Sequence, residues 1–123
     1  MNNWPIRAAI LLSLSLSPAE PVEPAEVKPH PCKVAWAEEE VLCATYPVWE
    51  NRETRQGRKI DLNIVILPAQ GPDKQPDPVF EIAGGPGQGI SEVGEWVGVD
   101  RKRDVVLVDQ RGTGRSNPLH CDF

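Results

Sequence analysis

The stretch EIAGGPGQG, residues 81–89, holds the backbone chemistry that stands out first in this chain. It follows the apolar run PVF, and glycines after a strand free N–H groups to face something negative. That partner is either a phosphate that stays bound or an oxyanion that exists only during a reaction. A P-loop needs G-x-x-x-x-G-K-[ST]; Gly84 and Gly89 have the spacing, but Ile90 and Ser91 follow, and the pattern fails without its lysine. A dinucleotide fingerprint needs G-x-G-x-x-G; Gly85 and Gly87 begin one, and Ile90 breaks it. The oxyanion reading asks for less. Two preorganised N–H donors stabilise charge developing on a carbonyl oxygen, and losing one costs about 3 kcal/mol. Gly84 and Gly85 permit positive φ and close approach of a substrate, while Pro86 stiffens the turn without donating. A tight turn with no ligand accounts for the same residues.

Other reactive side chains are sparse. DQRG at 109–112 imitates a short GTPase motif, but no lysine-bearing phosphate loop accompanies it. His30 sits between two prolines and reads as a solvated linker residue. His120 precedes Cys121, but neighbours in a loop seldom face each other and no further ligands are at hand, so no metal site is expected. The net charge is −5 and the nearest basic run is RKR at 101–103, which excludes an electrostatic case for nucleic acid.

The elements that must position these residues begin with an export signal. MNNWPIR carries one positive charge, AAILLSLSL is a short apolar core, and Ser17, Pro18 and Ala19 are small residues at a cleavage position. The core is too short to span a bilayer, so no integral membrane segment is expected after removal of residues 1–19. A buried N-terminal strand or helix is the alternative. Export, periplasmic or extracellular, allows Cys32 and Cys43 to pair across a short loop. Cys121 is then left as a reactive thiol, an intermolecular bridge, or the partner of a residue outside this chain.

Residues 20–31, rich in proline and glutamate, read as an extended tether before a domain that starts near Cys32. Residues 40–49 are β-prone, and residues 58–68 alternate, with Ile60, Leu62, Ile64 and Ile66 on one face. The polar connection ENRETRQG reads as a hairpin link. PVFEIA at 78–83 is a third strand, at an apolar edge, and Ile90, Val93 and Val97 give a short helix at best. Val105 to Val108 are apolar on both faces, as in the middle of a covered sheet in α/β proteins.

Two motifs together carry a family resemblance. AGGPGQG and VVLVDQRGTGRSNPLHC, residues 105–121, resemble the α/β-hydrolases related to prolyl iminopeptidase and the secreted tripeptidyl aminopeptidases. Those enzymes carry a GGPG loop after strand three and a D-x-R-G-x-G-x-S turn after strand four. The resemblance covers most of residues 32–123. It implies that Gly85 serves the oxyanion hole, with Gly84, Pro86 and Gly87 shaping the loop. It also implies a structural turn in which Asp109 and Arg111 hold the loop edges and Gly112 and Gly114 allow the bend. Asp109 is not the catalytic acid on this reading, because the family's acid follows its nucleophile. Ser116 matches the serine of the turn and not the nucleophile.

Two departures stand out. Ala83 occupies the position where many prolyl iminopeptidases have histidine, and no G-x-S-x-G elbow occurs in the chain. The catalytic serine, acid and histidine are therefore expected beyond residue 123. The expectation is the incomplete N-terminal part of an α/β-hydrolase fold, residues 32–123, with a first antiparallel hairpin and strands three and four of a mostly parallel sheet. The parent would be an exported serine peptidase without a cofactor, cleaving peptides near their N-termini, and this chain alone would be inactive. Its partners would be a peptide or ester substrate and the missing C-terminal part of the fold. An esterase or lipase of the same fold, or a small secreted binding module, remains the alternative.

Overall fold

A computed structural model describes residues 26–85, 87–93 and 102–120. The expected leader at 1–19, Pro86 and Cys121 lie outside the described residues. Strands β1 (His30–Cys32), β2 (Val41–Trp49), β3 (Lys59–Leu67), β4 (Val79–Glu81) and β5 (Val105–Val108) form one sheet in the order β1-β2-β3-β5-β4. Among the described residues a single short helix, α1 (Ile90–Val93), lies between β4 and β5.

β2 and β3 pair from Leu42↔Ile66 at one end to Trp49↔Lys59 at the other. Their connection is a polar turn in which the Asn51 side chain accepts from the N–H groups of Glu53 and Thr54, each at 3.0 Å. A short asparagine side chain stabilises a turn in this way because it mimics a backbone carbonyl. The described end of the proline-rich arm enters the sheet. His30, Pro31 and Cys32 pair with Cys43, Leu42 and Val41, and a disulfide joins Cys32 to Cys43 with Cα atoms 5.8 Å apart.

Register decides which side chains meet. Leu67 lies opposite Val105, and Val65 opposite Leu107, so all four share one face. With Val41 and Ile90 they make the buried core, against which Val34, Trp36 and Ala83 pack. Each fully buried apolar side chain of this size contributes about 1.5–3 kcal/mol. On the other face Ile64 lies between Ala44 and Val108, and Ile60 and Ala44 are also buried. The edge strand β4 leaves Phe80 exposed, as is Ile82 just beyond it.

The expected α/β-hydrolase segment with a mostly parallel sheet is corrected here. Only β4 and β5 pair parallel; β1–β2, β2–β3 and β3–β5 are all antiparallel. The sheet is mixed and mostly antiparallel, with almost no helix among the described residues. The reason is connectivity. Antiparallel neighbours need only a tight link, whereas each parallel pair needs a crossover of a dozen or more residues, and the described residues make one such pairing. Among the described residues, no helix is long and apolar enough to cross a membrane.

Candidate functional site

The glycine loop leaves the end of β4 and enters α1. Gly85 (φ +83°) and Gly87 (φ +88°) both occupy the left-handed region, which a residue with a Cβ enters only under strain. Neither is crowded: a Cβ at Gly87 would meet nothing within 4 Å, and one at Gly85 only the tip of Gln88. Gly84, Gly85 and Gly87 are exposed, so the turn presents backbone rather than side chain to its surroundings.

Where the loop meets α1 the situation reverses. Gly89 is buried, and a Cβ there would lie 2.5 Å from Gly114 Cα. A Cβ on Gly114 would in turn fall 2.3 Å from Asp109 Oδ2. Two loops distant in sequence are thus in backbone contact, and glycine is the residue that permits it.

Asp109 holds this junction. It follows β5, has 0 % exposure, and accepts four hydrogen bonds. The Ser91 N–H donates to Oδ1 at 2.9 Å; Oδ2 receives Ser91 Oγ at 2.6 Å, Asn63 Nδ2 at 3.0 Å and the Arg115 N–H at 3.0 Å. Burial by itself would raise the carboxyl's pKa. The hydrogen bonds from the Arg115 N–H, from the Ser91 hydroxyl and N–H, and from Asn63 outweigh it and hold the pKa below the ordinary value. The group is a buried, ionised anchor that supplies α1 with an acceptor from another part of the chain.

The network continues outward. Asn63 Nδ2 also donates to Ser91 Oγ at 3.2 Å, and the Asn63 N–H donates to the buried Ser116 Oγ at 2.7 Å. The Asp109 N–H donates to the Asn63 carbonyl at 3.0 Å. Trp36 Nε1 donates to the Ser91 carbonyl at 2.6 Å, fastening the segment after β1 to the same point. Arg111 reaches the far end of the hairpin, donating to the carbonyls of Glu50 at 2.7 Å and Trp49 at 3.1 Å. Gly112 (φ +86°) turns the chain, and its N–H and carbonyl bond Ser116 and Leu119.

The structure therefore brings Asp109, Gly114, Gly89 and Ser91 together and sends Arg111 elsewhere. Asn63, Gly89 and Ser91 were not singled out as structural from the sequence. Asn63 carried a signal, since asparagine is depleted in strands and here interrupts a β-branched run.

Chemically, this cluster offers no nucleophile. The Ser91 hydroxyl is spent on an ionised carboxylate, Ser116 is fully buried, and no described histidine hydrogen-bonds to a serine. Neither His30 nor His120 lies near the loop in any hydrogen bond; both are exposed. Among the described residues no group of three His, Cys, Asp or Glu side chains converges as a metal site. What remains is a glycine turn open to solvent, with one end fixed by a buried anion. No protein-family model and no curated protein matches this chain.

Proposed function

We propose that this chain supplies the oxyanion-binding loop of an exported serine hydrolase acting near peptide N-termini, with the nucleophile outside its 123 residues. The observation that carries the reading is the exposed turn at Gly85 and Gly87, whose path into α1 is pinned by Asp109. An oxyanion hole works because its donors are already oriented when charge develops, so a loop fastened to the core suits that task better than a mobile one. The pairing of GGPG with DQRGTGRS, similar to the prolyl iminopeptidases, points to acyl transfer from peptides. The disulfide Cys32–Cys43 supports an oxidising compartment and hence export.

In this reading a backbone N–H at or beside Gly85 donates to the carbonyl oxygen under attack. The serine, its histidine base and the orienting acid come from residues that this chain does not include. The test is the coding DNA past codon 123. An in-frame G-x-S-x-G followed by an acid and a histidine supports the proposal; a stop codon at once after Phe123 overturns it. The purified chain should leave alanine p-nitroanilide unhydrolysed above a buffer blank. Turnover by the chain alone would sink the division of labour.

A further inference from the structure

Glu81 closes β4 beside the glycine loop, and its register partner Leu107 places it on the core-facing side of the sheet. Its Oε2 is withdrawn from solvent and has no hydrogen-bond partner among the described residues. A carboxylate oxygen removed from water without a donor is a costly arrangement, and native structures satisfy the large majority of such groups. Two cations that flank β5, the strand beside β4, are committed elsewhere: Arg103 pairs with Asp77, and Arg111 bonds the hairpin carbonyls.

Glu81 also lines a cavity of about 300 Å³ with Ile82, Ala83, Gly84, Gln88 and Val93. That volume lies at the lower end of the range for small-molecule sites. Among the described residues its walls are mainly apolar, with one carboxylate and one amide side chain, and Gly84 brings the glycine loop to its edge. A mostly apolar pocket with a single unpaired anion suits a cation attached to a short carbon skeleton.

We propose that this cavity binds a primary alkylammonium group. One ammonium N–H donates to the Glu81 carboxylate, and the attached carbons lie against Ile82, Ala83 and Val93. Two sources present that chemistry, a peptide's α-ammonium and a lysine side chain. The cation site stands on its own geometry, and only the choice of a peptide N-terminus as source rests on the hydrolase reading above.

The experiment is an amide-resolved NMR titration of the 123-residue chain with three probes. Alanyl-alanine amide carries a free α-ammonium, Nα-acetyl-lysine amide carries only the side-chain ammonium, and N-acetyl-alanyl-alanine amide is neutral. At least one cationic probe should shift the amides of residues 82–85 and 93 saturably, and the neutral probe should not. Which cation binds more tightly identifies the source. Glu81→Gln keeps the volume, removes the charge, and should weaken binding at least tenfold. Equal binding of the neutral probe, no saturable shift with either cation, or undiminished affinity in Glu81→Gln overturns the site. The neutral-probe comparison needs no variant, so it holds even where the substitution disturbs folding. A failed titration with a serine elbow encoded downstream removes this site and leaves the proposed function; the opposite pattern removes the function and leaves the site.

Discussion

Replacing Asp109 by asparagine changes one atom and should be among the most damaging conservative substitutions in this chain. Oδ2 receives three donors and Oδ1 one, so the amide does least harm with its oxygen at the Oδ2 position. Its NH₂ then faces the Ser91 N–H, two donors without an acceptor. Leaving that buried N–H unsatisfied costs about 1–3 kcal/mol. The three remaining bonds lose their charge assistance, which is worth roughly 1 kcal/mol each at a buried site. The sum is about 4–6 kcal/mol, a large share of the roughly 6–15 kcal/mol that stabilises a domain of this size. Equilibrium urea unfolding followed by tryptophan fluorescence measures it, and Trp36, bonded to the Ser91 carbonyl, sits at the affected point.

The same substitution has a pH signature. The folded-state pKa of Asp109 lies below its unfolded value, so its contribution is fully present above about pH 4 and fades as pH falls toward the folded pKa. Glu50, lowered by its hydrogen bond to Arg58, titrates in both proteins and cancels in the difference. The gap between wild type and Asp109→Asn should therefore be constant from neutral pH to about pH 5 and shrink below about pH 4. A loss under about 1 kcal/mol at neutral pH, or a gap that widens on acidification, would refute Asp109 as an ionised anchor.

Three other substitutions test the surrounding frame. Gly89→Ala forces a Cβ to within 2.5 Å of Gly114 Cα and should cost at least about 2 kcal/mol. Gly84→Ala, with open space and no positive φ, should stay within about 0.5 kcal/mol of wild type in the same assay. Cys43→Ser opens a disulfide between residues 11 apart and should cost about 3 kcal/mol. Faster amide exchange at β1 than at β3 should accompany it, because β1 is a three-residue strand paired with β2 alone.

Much of the strand content was legible in the sequence. The alternation from Ile60 to Ile66 lies within β3, and the run Val105–Val108 is β5. Both patterns are local, set by the two-residue period of a strand and by burial on one face or two. Direction was not legible. A four-residue apolar run reads the same in a parallel or an antiparallel setting. β5 has one neighbour of each kind, β4 parallel and β3 antiparallel. The mostly parallel sheet expected from a family resemblance gave way for that reason.

The candidate site divides along the same line. Residue types were enough to single out Gly84 and Gly85 as a turn able to present N–H groups, and the family resemblance implied a second turn with Asp109, Arg111, Gly112 and Gly114. They could not say that the two turns touch. That contact depends on the Asn63 side chain, 28 residues from Ser91 and 46 from Asp109, and on two glycine backbones whose approach no local pattern encodes. The unpaired oxygen of Glu81 belongs to the same class, since a glutamate at a strand end looks solvated until the fold withdraws one of its oxygens from water. The sequence by itself determined which segments could be strands and which residues could turn. Tertiary structure alone decided pairing direction, the buried anion and the unpaired carboxylate, because each depends on groups brought together only after the chain has folded.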